Sequence, residues 1–208
     1  MSLVAEPTTT DEELVKKFLG GDQHAFTELV RRHKAWVITK AAHYSQNSQE
    51  TDDLAQTIFI KAFRNLHSFG FRCPFRHWLA RIATNACYDH LRKRRSHSWL
   101  FFLPQHSDNH DVPALPDIPD TSLDCSGTDA ETSMHILLPL LAPAIRRLAP
   151  ADQLLITLKE IEQKSLEEIS SLTGWSIANV KVRAHRARHR LRKILENMSR
   201  REVGENLI

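Results

Sequence analysis

The stretch SLEEISSLTGWSIANVKVRAHRARHRLRK, from Ser165 to Lys193, decides how this 208-residue chain is to be read. Ser165-Leu166-Glu167-Glu168 has the S-x-x-E form of a capping box, in which the hydroxyl and the carboxylate satisfy free amide donors at a helix start. Leu166, Ile169 and Leu172 follow at helical spacing, Gly174 can take the positive φ needed to leave the helix, and Ser176 can cap the next one. Ile177, Val180, Ala184, Ala187, Leu191 and Ile194 then recur at three- and four-residue steps, which is one apolar stripe of a helix. The pattern predicts a helix, a tight turn and a second helix that packs by one face only.

The free face of that second helix is basic. Between Asn179 and Lys193, seven of fifteen residues are Lys or Arg and none is acidic. At about 100° per residue, the side opposite the stripe is formed by Ala178, Val182, His185, Arg186, His189 and Lys193, flanked by Lys181, Arg183, Arg188 and Arg190. A narrow strip bordered by long cations is the layout of a major-groove helix, in which the strip reaches base edges and the border reaches phosphates. Charge density alone also describes a solvated surface. The capped helix and glycine turn ahead of it shift the reading to nucleic-acid binding, since a helix-turn-helix places its second helix in the groove.

Charge is partitioned along the chain. Residues 1–95 carry 15 basic and 10 acidic side chains, net +5, and residues 134–208 carry 13 and 8, again +5. Residues 96–133 have no Lys or Arg and seven acidic residues, net −7, together with Pro104, Pro113, Pro116 and Pro119. That is linker composition. The plan is therefore all-α, with two small helical domains at 10–97 and 134–198 joined by a flexible acidic linker at 98–133. No apolar run approaches the ~18 residues that span a bilayer, and MSLVAEPTTTDEEL lacks the basic start and apolar stretch of a signal peptide. The expected location is cytoplasmic, without membrane insertion. Cys73, Cys87 and Cys125 are odd in number and far apart, so neither a disulfide framework nor a thiolate zinc site is indicated.

The first domain reads as four helices. Thr10-Asp11-Glu12-Glu13 is a second capping box, and Gly20-Gly21 ends the helix that it opens. Further helices are predicted from about Asp22 to Tyr44, from about Glu50 to Leu66 with Glu50, Asp52 and Asp53 in its first turn, and from Pro74 to about Arg95. On the last of these, Leu79, Ala80, Ala83, Cys87 and Leu91 face inward. The other side holds Trp78, Arg81, Asn85, Tyr88 and Arg92, leading into Arg92-Lys93-Arg94-Arg95. An indole beside arginines and an amide suits the stacking of unpaired bases. Trp78 closing the core against Phe69 or Phe71 is the other reading of the same pattern.

Three segments, in order, carry a family resemblance: DDLAQTIFIKAFRNL from Asp52 to Leu66, FRHWLARIATNACYDHLRKRR from Phe75 to Arg95, and SLEEISSLTGWSIANVKVRAHRARHRL from Ser165 to Leu191. The chain resembles bacterial sigma factors of the extracytoplasmic-function group, in the sigma-70 family. The resemblance implies a factor that joins core RNA polymerase, meets its β′ clamp helices and β flap, and recognises the −10 and −35 elements of promoter DNA. It implies polymerase contacts at Asp52, Asp53, Gln56, Phe59 and Lys61. It implies −10 recognition and melting around Asn85, with Phe69, Trp78, Arg81, Tyr88 and Arg92 beside it, and −35 recognition by Lys181, Val182, Arg183, His185, Arg186, Arg188 and His189. An anti-sigma factor as regulatory partner is a further implication. So is passage of the linker through the polymerase cleft; Trp99, Phe101 and Phe102 are candidate anchors at its start or, on the other reading, the end of the fourth helix packing back.

The chain departs from the family at Ala178-Asn179-Val180-Lys181-Val182-Arg183, where G-T-V-K-S-R is common. Val182 replaces a frequent hydroxyl, so hydrogen-bonded readout there gives way to apolar contact such as that with a thymine methyl. No catalytic chemistry, cofactor or intrinsic metal site is expected. His106 and His110, with Asp108 and Asp111, lie in the linker, and His185 and His189 lie on the DNA face, so neither pair supplies a preorganised ligand set. The competing reading is a free-standing helix-turn-helix regulator that never joins polymerase.

Overall fold

The computed structural model describes residues 9–99 and 138–205, and among them there is no strand. These residues fall into two compact units, 9–87 and 88–99 with 138–205, and the helix that begins at Phe75 contributes to both. Residues 100–137, including Phe101, Phe102, Cys125 and the His106 and His110 pair, lie outside the described residues, as does the side chain of Trp99.

The first unit contains α1 (Asp11–Leu19), α2 (Gln23–Ala42), α3 (Ser48–Asn65) with a 3-10 turn at Leu66–Ser68, and the start of α4 (Phe75–Trp99). Both halves of the predicted capping box open α1: the Glu13 amide donates to Thr10 Oγ1 at 3.2 Å and the Thr10 amide to Glu13 Oε2 at 3.0 Å. The start of α3 differs from expectation. Asn47 is its cap, accepting from the Glu50 amide at 2.8 Å, so the helix begins two residues earlier and only Glu50 is an acidic residue of its first turn. Leu14, Val15, Phe18, Leu29, Val37, Leu54, Ile58, Phe75, Leu79 and Ala83 are buried and form the core. Each large side chain so buried contributes about 1.5–3 kcal/mol.

Polar contacts tie α1 to its neighbours. Arg32 on α2 donates to Thr9 O at 2.6 Å and to Asp11 Oδ1 at 3.0 Å, and His33 Nε2 lies 2.6 Å from Asp11 Oδ2. The Glu12 carboxylate accepts the Phe75 amide at 3.1 Å, so a residue of α1 satisfies a free donor at the start of α4.

The second unit adds α5 (Leu138–Arg146), α6 (Pro150–Ile156), a π-helical turn at Thr157–Ile161, α7 (Leu166–Thr173) and α8 (Ile177–Glu205). Its core joins Ile145, Leu148, Ile156 and Ala187, with Leu141, Ile161, Leu191 and Ile194 partly buried against them. The outer positions of the α8 stripe thus pack on α5 and α6.

Candidate nucleic-acid interface

The helix-turn-helix is built as its sequence predicts. Ser165 Oγ accepts the Glu168 amide at 3.1 Å, and the Glu168 carboxylate accepts the Ser165 amide at 2.7 Å. The neighbouring Glu167 carboxyl is held below its ordinary range by its own backbone amide and by the Ser165 hydroxyl. Gly174 ends α7 in the left-handed region at φ 71°, where a side chain would be strained. The next residue, Trp175, is buried and pinned at both backbone ends. Its amide donates to Thr173 Oγ1 at 3.3 Å, and its carbonyl accepts from Ser170 Oγ at 2.6 Å. Ser176 Oγ then accepts the Asn179 amide at 3.3 Å and starts α8.

Along α8, Val180, Ala184 and Ala187 are buried, and Lys181, Val182, His185, Arg186, Arg188 and His189 are exposed. Val182 is 49% exposed, an apolar side chain offered to solvent in the middle of the strip. Ile177 departs from the predicted stripe at 46% exposure. As the first helical residue, its side chain leans back off the helix end and away from the core beneath the next turn.

The basic residues of α8 are not equivalent. Arg188 Nε donates to Glu160 Oε1 at 2.7 Å, and Arg190 Nη1 to the buried Asp152 at 2.6 Å. Arg183 is half-buried, with Nε on Asn179 Oδ1 at 2.6 Å and its guanidinium carbon 5.1 Å from the Trp175 ring centroid. Lys181, Arg186 and Lys193 form no ion pair among the described residues. The free cations and the apolar or imidazole side chains between them therefore make the surface most open to a nucleic acid.

The α4 face is more closed than the sequence suggests. Phe69, Trp78 and Tyr88 are buried. Trp78, 7% exposed, stands 5.5 Å from the Phe69 ring and 5.6 Å from Phe75, so the core reading of this indole describes its position. Arg81 and Asn85 are half-buried, and Arg92 is exposed with its guanidinium carbon 5.8 Å from the Tyr88 centroid. Burial raises the Tyr88 phenol above its ordinary value, against the opposing pull of the Arg92 and Arg183 charges. Phe71, named from sequence only as a core partner, is 40% exposed and left-handed at φ 56°. Its ring lies 4.8 Å from Phe69 and 5.7 Å from Lys16 Nζ. Gly70 and Pro74 mark this loop in the sequence, but the strained turn that exposes Phe71 is not legible there.

On α3, Asp52, Asp53 and Gln56 are exposed, while Phe59 and Lys61 are half-buried. Lys61 lies about 140° around the helix from Gln56, off the face shared by Asp53 and Gln56. Ile60 and Phe63, each 43% exposed, continue that face. Phe63 rests on Phe18 and Phe26 at 5.3 and 5.1 Å. Sequence reading missed both, although steps of four and seven residues from Gln56 place them in line.

A family model for Sigma-70 region 2 matches residues 29–97, and one for Sigma-70, region 4 matches residues 140–191. The ECF RNA polymerase sigma factor SigW of Bacillus subtilis is 31% identical over 191 residues, covering 88% of this chain and 96% of its own length. This chain is an extracytoplasmic-function sigma factor of the sigma-70 family. The RNA polymerase sigma-H factor of Pseudomonas aeruginosa is 30% identical over 199 residues, covering 91% of this sigma factor and 96% of that one. Among solved structures, CnrH in complex with the cytosolic domain of CnrY superposes with a TM-score of 0.56 at 25% identity, covering 90% of this sigma factor and 97% of CnrH. The fold is shared with the sigma factor RpoE of Bartonella quintana, solved with the anti-sigma factor NepR, at a TM-score of 0.50 and 22% identity, covering 82% and 96% of the two chains. Membership places the sigma factor among transcription initiation factors. No helix among its described residues is long and apolar enough to cross a membrane, and none of these residues form a His, Cys, Asp and Glu cluster able to hold a metal ion.

Proposed function

We propose that this sigma factor joins core RNA polymerase in the cytoplasm, directs it to promoters by reading two elements, and opens the duplex without catalytic chemistry of its own. The observation that carries the reading is the α8 strip of Lys181, Val182, His185 and Arg186, exposed and free of carboxylate partners on the second helix of a capped helix-turn-helix. These four residues, with His189 beside them, are assigned to the −35 element. The loop that holds Phe71 and the α4 residues Arg81, Asn85 and Arg92 are assigned to the −10 element, with Phe69, Trp78 and Tyr88 supporting them from the core. Asp52, Asp53 and Gln56, extended by Ile60 and Phe63, are assigned to the polymerase. Domain boundaries at 97 and 134, with an acidic tether between them, belong to the same proposal.

Unpairing and flipping bases costs a few kcal/mol, offset by contacts to the extruded bases and by phosphate contacts from both basic units. Control by an anti-sigma factor is part of the proposal. It is supported by the complexes in which CnrH and the Bartonella quintana RpoE were solved. The test is run-off transcription with purified core polymerase on a promoter library. The expected result is a set of transcripts that share two upstream elements and vanish when the sigma factor is omitted. A folded protein that binds duplex DNA but directs no core-dependent transcript would instead be a free-standing helix-turn-helix regulator, and the proposal would fail.

A further inference from the structure

Arg183 differs from the other ordered arginines of α8 in what holds it. Arg188 and Arg190 meet the carboxylates of Glu160 and Asp152, so their charges are compensated within the protein. The contacts that fix Arg183 are neutral: the Asn179 side-chain carbonyl, which accepts a hydrogen bond from its Nε–H at 2.6 Å, and the face of Trp175, 5.1 Å from its guanidinium carbon. That separation is within the ~6 Å over which a ring face attracts a cation. Orientation is thereby fixed while the positive charge stays uncancelled. With Nε engaged, the four N–H groups on the two Nη atoms remain as donors.

The platform is itself rigid. Trp175 is only 7% exposed, and both ends of its backbone are held by side chains of α7, its amide by Thr173 and its carbonyl by Ser170. Side chains on a helix lean toward its N-terminus, so Arg183 folds back over Asn179, one turn earlier, and meets the indole that precedes the helix. An unrestrained arginine loses rotamer freedom when it binds an anion. Here that ordering precedes binding.

We infer that Trp175 is a positioning residue for promoter recognition: with Asn179, it holds Arg183 in advance as a clamp for a backbone phosphate beside the −35 bases. The inference rests on the assignment of α8 to the −35 element. Trp175 touches no DNA in this role. It acts through Arg183, so its effect must disappear when Arg183 is gone.

A double-mutant cycle on the full-length protein in holoenzyme tests this. The probe is a duplex whose upstream element the wild-type holoenzyme has selected from a randomised pool. Affinity is measured against salt for wild type, Trp175→Leu, Trp175→Phe, Arg183→Ala and the Trp175→Leu/Arg183→Ala pair, with thermal unfolding and core-polymerase affinity followed in parallel. Arg183→Ala is expected to weaken binding ~10-fold and to reduce the slope of log affinity against log salt by ~0.9, one phosphate contact. Trp175→Leu is expected to weaken binding ~3- to 10-fold when Arg183 is present and not at all when it is absent, and Trp175→Phe to recover most of the loss. An equal loss in the Arg183→Ala background would show that Trp175 serves only the fold. No loss for Trp175→Leu, or an unchanged salt slope for Arg183→Ala, would overturn the clamp. Failure of the wild-type holoenzyme to select any upstream sequence would remove the −35 assignment and this inference with it, whereas selection followed by an additive cycle would remove only the role of Trp175.

Discussion

Trp78 and Asn85 lie two turns apart on α4, and their surroundings give them different work. The indole is packed between Phe69 and Phe75, and Asn85 is half-open to solvent. Sequence spacing puts the two residues on one face and leaves open whether Trp78 turns to DNA or closes on Phe69; the structure decides for the Phe69 ring, nine residues earlier, which covers the indole. Truncating a buried aromatic removes transfer energy and leaves a cavity, so Trp78→Ala is expected to destabilise the first unit by about 3–5 kcal/mol and to lower polymerase binding along with folding. Asn85→Ala removes no core volume. It is expected to leave thermal unfolding and polymerase affinity near wild type while slowing promoter opening about tenfold, the size of a lost hydrogen bond to a base. Thermal melts together with permanganate footprinting of the opened strand separate the two outcomes. If Trp78→Ala unfolds at the wild-type temperature yet fails to open promoters, the indole reaches DNA after all.

Helix starts and turns were legible wherever a local hydrogen-bond device marks them. Thr10 with Glu13, Ser165 with Glu168, and Gly174 all act as their types and spacing predict. Asn47 is not legible as a cap because it sits in the polar run SQNSQE, with no apolar periodicity to show where the helix begins. The helices over 138–156 carry no such device, and Pro143 within α5 and Pro150 at the start of α6 interrupt their apolar pattern. The π-helical turn at Thr157–Ile161 is a change of hydrogen-bond register that no residue type announces. The docking of α1 on α2 was also hidden, because it depends on side chains distant in sequence. In that junction Glu28 accepts from Arg31 at 2.6 and 2.7 Å and from Arg32 at 2.9 Å, and Arg32 reaches across to Asp11. The Arg31 hydrogen bond, then that of Arg32, holds the Glu28 carboxyl at about 2, down from 4.5. A depressed carboxyl stabilises the fold above its unfolded value and loses that contribution as pH falls through the folded one. The stability difference between wild type and Glu28→Gln should therefore be constant from neutral pH down to about 4.5, shrink below that, and disappear only once the pH has fallen below about 2. The pair is solvent-screened, so the difference is small, and urea unfolding of both proteins across this range measures it. A difference as large at pH 2 as at neutral pH would place the stabilisation elsewhere than in the carboxylate.

At the scale of the whole molecule, net charge says little about DNA binding. The chain totals only +3, yet its two basic stretches carry +5 each, separated by 38 residues at −7. What a polyanion meets is the local count of cations not already paired, and the structure divides those of α8 into two groups. Lys181, Arg186 and Lys193 have no carboxylate partner among the described residues, whereas Arg188 and Arg190 are bound to Glu160 and Asp152. Each phosphate neutralised by a free cation contributes ~0.9 to the salt slope of binding. An arginine already paired releases its carboxylate when it turns to DNA, so its net contribution is smaller. Holoenzyme binding to a wild-type-selected duplex, titrated from low to physiological salt, should lose ~0.9 of slope in Lys181→Ala and clearly less in Arg188→Ala. Glu160→Gln should then raise affinity by freeing Arg188. Equal slopes for Lys181→Ala and Arg188→Ala, with no gain in Glu160→Gln, would mean that the Glu160 pair opens at no cost. The expectation from sequence that Arg188 belongs to the DNA-contacting set would then hold without qualification.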